Sequence, residues 1–287
     1  MTPGAAAQPP QPFFLDGGAD ARFCLYHSPA GPDCRGAIVY LHPFAEEMNK
    51  SRRMAALQAA ALAADGYAVL CIDLHGCGDS AGEFGDATWD SWLADVDRAS
   101  RWLQRQLGDR LTEAPAIWGL RLGALLALDY ARRAAAAPSF LLLWQPVTSG
   151  AVFLTQFLRL AVAGQMLTAG GASVGGTAAL RARLAEGYAL EIAGYLLNPA
   201  LAAAIDTQDA AMAPPCPVHW LEVVPEAERP LPPAAVRVVS RWQEAGTHVV
   251  AHAVPGPQFW AAQEIATCPA LLDQTRLALL PVHHAAG

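Results

Sequence analysis

The sequence predicts an α/β protein with a mostly parallel central sheet that helices cover on both faces. Short, continuously apolar runs recur along the chain, each is followed by Gly- or Pro-containing turn residues, and a helical stretch comes after the turn. Apolar strands that alternate with helices are typical of βαβ units. With 287 residues, of which 53% are hydrophobic and 16% charged, the chain can bury a sizeable core.

The N-terminal part of the core is predicted to span residues 13–148, after a disordered Ala-, Gln- and Pro-rich tail at residues 1–12. Two short strands around an Asp-Gly-Gly turn form an antiparallel edge, and further strands then alternate with helices. The strands are predicted at 13–15, 22–26, 36–41, 67–72, 116–118 and 140–144, and the helices at 50–64, 89–106 and 122–136.

Residues 149–213 are rich in Ala, Leu and Gly and are predicted to form a helical cap insertion. The C-terminal part of the core, residues 214–287, then supplies strands at 218–224 and 248–254 and a closing helix at 271–280. The apolar cap residues either cover an acyl or other apolar ligand or pack as an ordinary insertion. They are Phe153, Leu154, Phe157, Leu158 and Leu160, with Gly170-Gly171 and Gly175-Gly176 as hinges.

The charge pattern argues against nucleic acid as a partner. The 26 acidic and 19 basic residues give a net charge of -7, and no basic run could neutralise phosphates. The six cysteines are scattered without a CxxC pair, and the histidines lack metal-ligand spacing. We therefore expect a cytoplasmic protein with free thiols, no metal and no cofactor.

The strongest local signal is Gly119-Leu120-Arg121-Leu122-Gly123, where an apolar strand turns directly into an Ala- and Leu-rich helix. This is the layout of a nucleophile elbow, in which small residues surround a Ser, Cys or Asp at the centre. The central residue here is Arg121. Its guanidinium keeps its proton at ordinary pH and cannot attack a carbonyl.

Two other segments follow strands in a matching order. The run LHPFAEEMN (41–49) is placed to donate one oxyanion-hole amide, and IDLHGCGDS (72–80) is placed beneath the elbow. Together with the elbow they resemble the α/β-hydrolase superfamily over roughly residues 13–280. Within it, PFAEEMNKSRRM (43–54) and WGLRLG (118–123) resemble the second exosortase A system-associated hydrolase, whose members are encoded beside exopolysaccharide and protein-sorting systems of Gram-negative bacteria. The resemblance implies a hydrolase.

The remaining triad positions can be located on the same pattern. The acid normally follows the strand predicted at 218–224, which indicates Glu226 or Glu228. The histidine normally follows the strand at 248–254, where Gln258 stands instead. Because an amide cannot take up a proton near neutral pH, two of the three triad roles are predicted to be missing.

Arg121 therefore has two interpretations. It either binds a carboxylate or phosphate in the pocket or forms a structural ion pair that plugs an inactive site. In both cases a buried guanidinium needs a carboxylate, which the sequence offers as Glu46, Glu47, Glu226 or Glu228.

The other candidates also have paired interpretations. Glu46 and Glu47 are expected either to act as a general acid or base, or to remain solvated carboxylates on a loop. His42 orients the oxyanion loop or satisfies a backbone carbonyl. His75 and Cys77 form a nucleophile and base pair or belong to a packed turn with a buried thiol.

Two functions follow from these residues. The first is an ester- or thioester-type hydrolase that works through Arg121, Glu46, Glu47 and the amides of Phe44 and Leu122. The second is a catalytically inactive member of the fold that binds or scaffolds an acyl or anionic ligand. The expected partners are a small-molecule ligand and a membrane surface or polysaccharide-assembly system, without nucleic acid.

Overall fold

The computed structural model describes residues 8–168 and 176–280 and centres on one eight-stranded sheet. The strands are β1 (Gln11–Leu15), β2 (Arg22–His27), β3 (Gly36–Leu41), β4 (Tyr67–Ile72), β5 (Ala116–Leu120), β6 (Leu141–Trp144), β7 (Leu190–Ile192), β8 (Tyr195–Leu197), β9 (Val218–Val224) and β10 (Val249–Pro255). The helices are α1 (Glu46–Ala64), α2 (Trp89–Leu107), α3 (Leu122–Arg133), α4 (Gly150–Thr168), α5 (Thr177–Ala185), α6 (Pro199–Thr207), α7 (Pro233–Glu244) and α8 (Pro269–Ala278).

The sheet has the strand order β1-β2-β4-β3-β5-β6-β9-β10. β1 pairs antiparallel with β2 and β2 with β4, while every other pair in this sheet is parallel. The predicted fold class is confirmed. Leu41 lies opposite Gly119 in the register of β3 with β5, so the loop after β3 and the turn after β5 meet at the same edge of the sheet.

Alternation along the strands separates two apolar cores, one on each face. Trp118 and Trp144 are fully buried on the face that α1 and α8 cover, and Trp220 is buried on the other face against Trp242 of α7. The Trp144 indole donates to Thr275 Oγ1 at 2.9 Å, which keeps its one polar atom satisfied.

Several boundaries differ from the sequence prediction. β1 begins at Gln11, inside the segment predicted as a tail, while residues 1–7 lie outside the described part of the chain. α1 begins at Glu46, four residues early, because two glutamates in its first turn suit the helix N-terminus. The sequence prediction omitted α7, although its Pro at N1 and its strongly amphipathic pattern are helix signals.

The insertion between β6 and β9 is not wholly helical as predicted. It contains α4, α5 and α6, but β7 and β8 form an antiparallel hairpin. The hairpin turns at Ala193-Gly194, both with positive φ, which is a favourable twist for a two-residue turn. The predicted hinges Gly170-Gly171 and Gly175 lie outside the described residues, and Gly176 is the N-cap of α5. No helix in residues 8–168 and 176–280 is long and apolar enough to cross a membrane.

Candidate functional site

The turn between β5 and α3 carries Arg121 in a strained conformation. Arg121 has φ 56° and ψ -117°, a region that non-glycine residues seldom occupy. Its amide donates to Trp144 O at 3.0 Å, and its carbonyl accepts from Ala124 N at 3.0 Å and Val147 N at 3.3 Å. These bonds to β6, α3 and the loop after β6 hold the turn in place.

Glycine at positions 119 and 123 lets this turn approach its neighbours. A Cβ on Gly119 would lie 2.4 Å from the Gly123 carbonyl oxygen, and a Cβ on Gly123 would lie 2.5 Å from the Leu41 carbonyl oxygen. Both distances are too short for any side chain. The two glycines therefore let α3 start directly against β3 and β5.

Strained backbone recurs at the ends of the neighbouring strands. Ala45 after β3 has φ 52°, and Gln145 after β6 has φ 43°. Gln145 links β6 to β9, because its amide donates to Leu221 O at 2.8 Å and its Oε1 accepts from Val223 N at 2.7 Å. The segments that follow three adjacent parallel strands thus each contain a residue with positive φ, a clustering found at functional sites.

Arg121 forms an ion pair with Glu47 of α1. Nη2 and Nε donate to Oε1 at 3.1 and 3.2 Å, with side chains 18% and 23% exposed. The guanidinium also lies 5.6 Å from the ring centroid of Trp260 and 6.0 Å from that of Phe153. Nη1 makes no hydrogen bond within the described residues, so it can donate to a ligand.

Burial raises the pKa of the Glu47 carboxyl above its usual value, while the charge of Arg121 opposes this shift. The Glu47 carboxyl is therefore partly desolvated and lies next to a positive charge. Groups of this kind are frequent at functional sites, although structural ion pairs share the property.

Glu46 bonds to residues other than Arg121, although it precedes Glu47 in the chain. It is exposed, and its Oε2 accepts from Asn49 Nδ2 at 3.1 Å and from the Tyr195 hydroxyl at 3.2 Å. Tyr195 belongs to β8, and its ring packs edge-to-face on Phe84. Glu46 thereby connects the first turn of α1 to the hairpin of the insertion.

Two backbone amides predicted for an oxyanion site are available. The N–H groups of Phe44 and Leu122 donate no hydrogen bond within the described residues. His42 supports the loop before Phe44, since Nδ1 donates to Pro43 O at 2.8 Å and Nε2 accepts from Leu74 N at 3.2 Å. Burial lowers the pKa of His42, which keeps the ring in this neutral form.

A cavity of about 200 Å³ opens beside this ion pair, and we call it the elbow pocket. The loop after β3, the first turn of α1, Arg121 and α4 line it, and its surface is mainly apolar. The lining residues are Phe44, Ala45, Glu46, Glu47, Arg121, Phe153, Gln156, Phe157 and Leu160. The pocket can therefore hold an apolar chain against the phenylalanines and a polar or anionic head at Arg121.

The other predicted triad positions do not reach this pocket. Glu226 and Glu228 are exposed on the loop after β9, which the prolines at 225 and 230 bound, and neither forms an ion pair with Arg121. Gln258 is exposed after β10, whereas Trp260 two residues later contacts the guanidinium. The sequence offered no pattern that separates these two positions, because both lie in one irregular loop.

Glu222 is a buried acid that the sequence analysis missed. It lies within β9, is 4% exposed, and its Oε2 has no hydrogen-bond partner. Burial raises its pKa to about 7, although the charge of Arg121 lowers it. The available signal was a lone carboxylate in the otherwise apolar run VHWLEVV.

Glu222 predicts a pH-dependent stability. Between about pH 4.5 and 7 the folded protein keeps a proton on Glu222 that the unfolded chain has released. The free energy of unfolding should therefore fall by about 3 kcal/mol as the pH rises through this window. Urea unfolding at pH 5 and 8 should show a smaller loss in Glu222→Gln than in the wild type and in the exposed control Glu226→Gln, because Glu47 still titrates in all three proteins. An equal loss in both variants would assign the effect to other groups.

Hydrogen bonds to Asp73 stabilise the turn after β4. Asp73 Oδ2 accepts from Asp79 N at 3.0 Å, and Ser80 Oγ donates to Asp73 O. Burial raises the pKa of the Cys77 thiol, and Cys77 makes no hydrogen bond to His75. No group of three or more His, Cys, Asp or Glu residues that could hold a metal ion occurs in residues 8–168 and 176–280.

Comparisons with known proteins identify the fold. The family model for serine aminopeptidase, S33 (Hydrolase_4) matches residues 32–167, slightly less than half of the chain. A ferulic-acid-bound structure of Est1E from Butyrivibrio proteoclasticus is similar, with a TM-score of 0.62, 14% identity, and 93% of this chain and 98% of that chain covered. A thermostable carboxyl esterase from Bacillus coagulans has a TM-score of 0.58 and 16% identity, with 87% of this chain and 91% of that chain covered. A putative hydrolase from Agrobacterium vitis S4 has a TM-score of 0.55 and 18% identity, with 94% of this chain and 96% of that chain covered. A comparison with curated protein sequences gave no match. At these identities the similarity shows the fold alone.

Proposed function

We propose that this chain, which has the α/β-hydrolase fold, binds an acyl-type ligand with an anionic head in the elbow pocket and forms no acyl-enzyme. The observation that carries the proposal is the Arg121–Glu47 pair at the point where such folds hold their nucleophile. A guanidinium cannot act as the nucleophile, but its fork of donors suits a carboxylate or phosphate.

Donors around Arg121 that have no partner within the described residues can hold a negative charge, beside the carboxylates of Glu46 and Glu47 that also line the pocket. Nη1 is available, and so are the amides of Leu122 and Phe44 near the N-terminal ends of α3 and α1. Helix N-termini stabilise anions through their free N–H groups and dipoles. The aromatic wall of Phe153 and Phe157 suits the apolar part of an acyl ligand.

The wider setting is part of the same proposal. The resemblance to the exosortase A system-associated hydrolases suggests a ligand of an exopolysaccharide or protein-sorting system. We propose a cytoplasmic pseudo-hydrolase that works as a binding or scaffold protein there, with peripheral contact to a membrane or to a polysaccharide-assembly system.

A second candidate is ester or thioester hydrolysis without a nucleophilic side chain. The raised pKa of Glu47 favours it, because a carboxylate with a raised pKa is a better general base. Glu47 would take a proton from water as the water oxygen attacks the carbonyl carbon. Arg121 and the free amides would stabilise the oxyanion, and the leaving group would take the proton as its bond to carbon breaks.

The ligand proposal can be tested by calorimetric titration with hexanoate, hexyl phosphate and hexanol. We expect the two anions to bind and hexanol to bind at least tenfold more weakly, since a charge-assisted hydrogen bond is lost. Arg121→Gln should weaken the binding of both anions by a similar factor. Arg159→Gln, which removes an exposed arginine of α4, is the matched control and should bind as the wild type does. Equal binding of hexanol and hexanoate, or unchanged binding in Arg121→Gln, would refute the proposal.

Activity assays separate the two candidates. We expect neither labelling by a fluorophosphonate probe nor turnover of p-nitrophenyl esters and acyl-CoA thioesters, in the wild type or in Arg121→Ser. The serine variant gains nothing because no histidine stands in the loop after β10 to activate it. Turnover that disappears in Glu47→Gln and persists in Glu46→Gln would instead establish the hydrolytic candidate.

A further inference from the structure

A second cavity of about 220 Å³ lies between α1 and the strands β2, β3 and β4. It shares no lining residue with the elbow pocket. From α1 it takes Met48, Arg52, Ala55 and Ala56, a different face from that of Glu47. A cavity of about 150 Å³ in another protein holds benzene, so this one has room for a single-ring molecule.

The cavity arises from the sheet edge and from small helix residues. Phe23 and Leu25 lie on the same face of β2 and are only half-buried, although they line the cavity floor. α1 turns Ala55 and Ala56 towards them, while the larger Leu57 points to solvent at 42% exposure. The chain thus places small side chains where a leucine would fill the space.

Two neutral polar groups face this apolar space. Tyr40 and Cys71 line the cavity, and neither side chain makes a hydrogen bond within the described residues. Burial raises the pKa of Tyr40 and raises that of Cys71 to about 12, so both keep their protons. They can donate and accept hydrogen bonds without carrying a charge.

The charged groups of the cavity already have partners. Arg52 Nη2 donates to Asp73 Oδ2 at 3.1 Å, and Arg52 Nη1 donates to Oδ1 at 3.4 Å. Both ring nitrogens of His42 bond to backbone atoms. An anion or cation would meet no unpaired opposite charge, and its desolvation would be unfavourable.

We propose that this second cavity binds a neutral single-ring molecule with one hydroxyl group. The hydroxyl lies at Tyr40 and Cys71, and the ring packs against Phe23, Leu25 and Ala55. This site is independent of the elbow pocket and of any function proposed for it.

The test is a calorimetric titration of the full chain with phenol and with toluene. We expect both to bind the wild type, phenol more tightly. Tyr40→Phe keeps the shape of the cavity. It should weaken the binding of phenol by about tenfold, because one hydrogen bond is lost, and leave the binding of toluene unchanged. Ala56→Leu places a leucine across the mouth of the cavity and should weaken the binding of both molecules at least tenfold. Ala60→Leu adds the same side chain on the exposed surface of α1 and serves as the control.

The outcomes are separable from those at the elbow pocket. Arg121→Gln should leave phenol binding unchanged. Thermal melting of each variant checks folding, and Ala56 lies at the exposed rim, where a leucine is tolerated. Phenol binding that persists in Ala56→Leu, or that is insensitive to Tyr40→Phe, would overturn the proposal, as would no binding of phenol to the wild type.

Discussion

The Gly123→Ala variant is expected to lose about 3 to 5 kcal/mol of the free energy of unfolding, or to fail to fold. The new Cβ would lie 2.5 Å from the carbonyl oxygen of Leu41 and 2.7 Å from that of His42. Both atoms are backbone, and the strand and loop that carry them are fixed by their own hydrogen bonds. Relief therefore requires α3 to move away from β3.

Urea unfolding at pH 7 measures this effect, with Gly17→Ala as the control. Gly17 has an extended φ of -147° and space around its Cα, so alanine there should change the stability by less than about 0.5 kcal/mol. A Gly123→Ala protein as stable as Gly17→Ala would mean that the turn after β5 is looser than described.

The Arg121→Met variant is expected to lose about 2 to 4 kcal/mol of the free energy of unfolding, because the mostly buried Glu47 is left without its cation. Glu47→Leu should also destabilise, since it leaves Arg121 unpaired. The double variant Arg121→Met/Glu47→Leu should recover most of the loss, because an apolar pair of similar volume needs no desolvation of charge.

The same unfolding experiment tests this double-mutant cycle. Arg101→Met, which removes the exposed i,i+4 pair between Arg101 and Asp97 on α2, is the control and should cost less than about 1 kcal/mol. If the losses at Arg121 and Glu47 simply add, the pair does not act as a unit and Arg121 is stabilised by Phe153 and Trp260 instead.

The sequence was sufficient to predict the main strands of the sheet and the turn that carries Arg121. Strands such as β3 and β4 are continuously apolar, because both faces are covered, and this pattern predicted their bounds fully. Gly119 and Gly123 also carry a local steric requirement that shows in the sequence. Such features depend on neighbours in the chain, so they can be predicted from it.

Contacts between distant segments could not be assigned in this way. Four glutamates were equal candidates for Arg121, and the choice of Glu47 depends on where α1 starts, four residues before its predicted beginning. Trp260 reaches the guanidinium through an irregular loop with no periodic signal. The hairpin of the insertion was missed because Leu, Ala and Glu around Ala193-Gly194 favour helices locally, and pairing overrides that preference.

Ala45, Arg121 and Gln145 have a consequence for directed evolution of this protein. Each occupies a positive-φ conformation that costs on the order of 1 to 3 kcal/mol, and glycine at Ala45, which has no side-chain hydrogen bond to lose, would relieve the strain. Selection for heat resistance alone should therefore reach Ala45, which lines the elbow pocket, early. The resulting proteins would keep the sheet and lose the shape of the pocket rim, so a screen for thermostable variants needs a ligand-retention step alongside it.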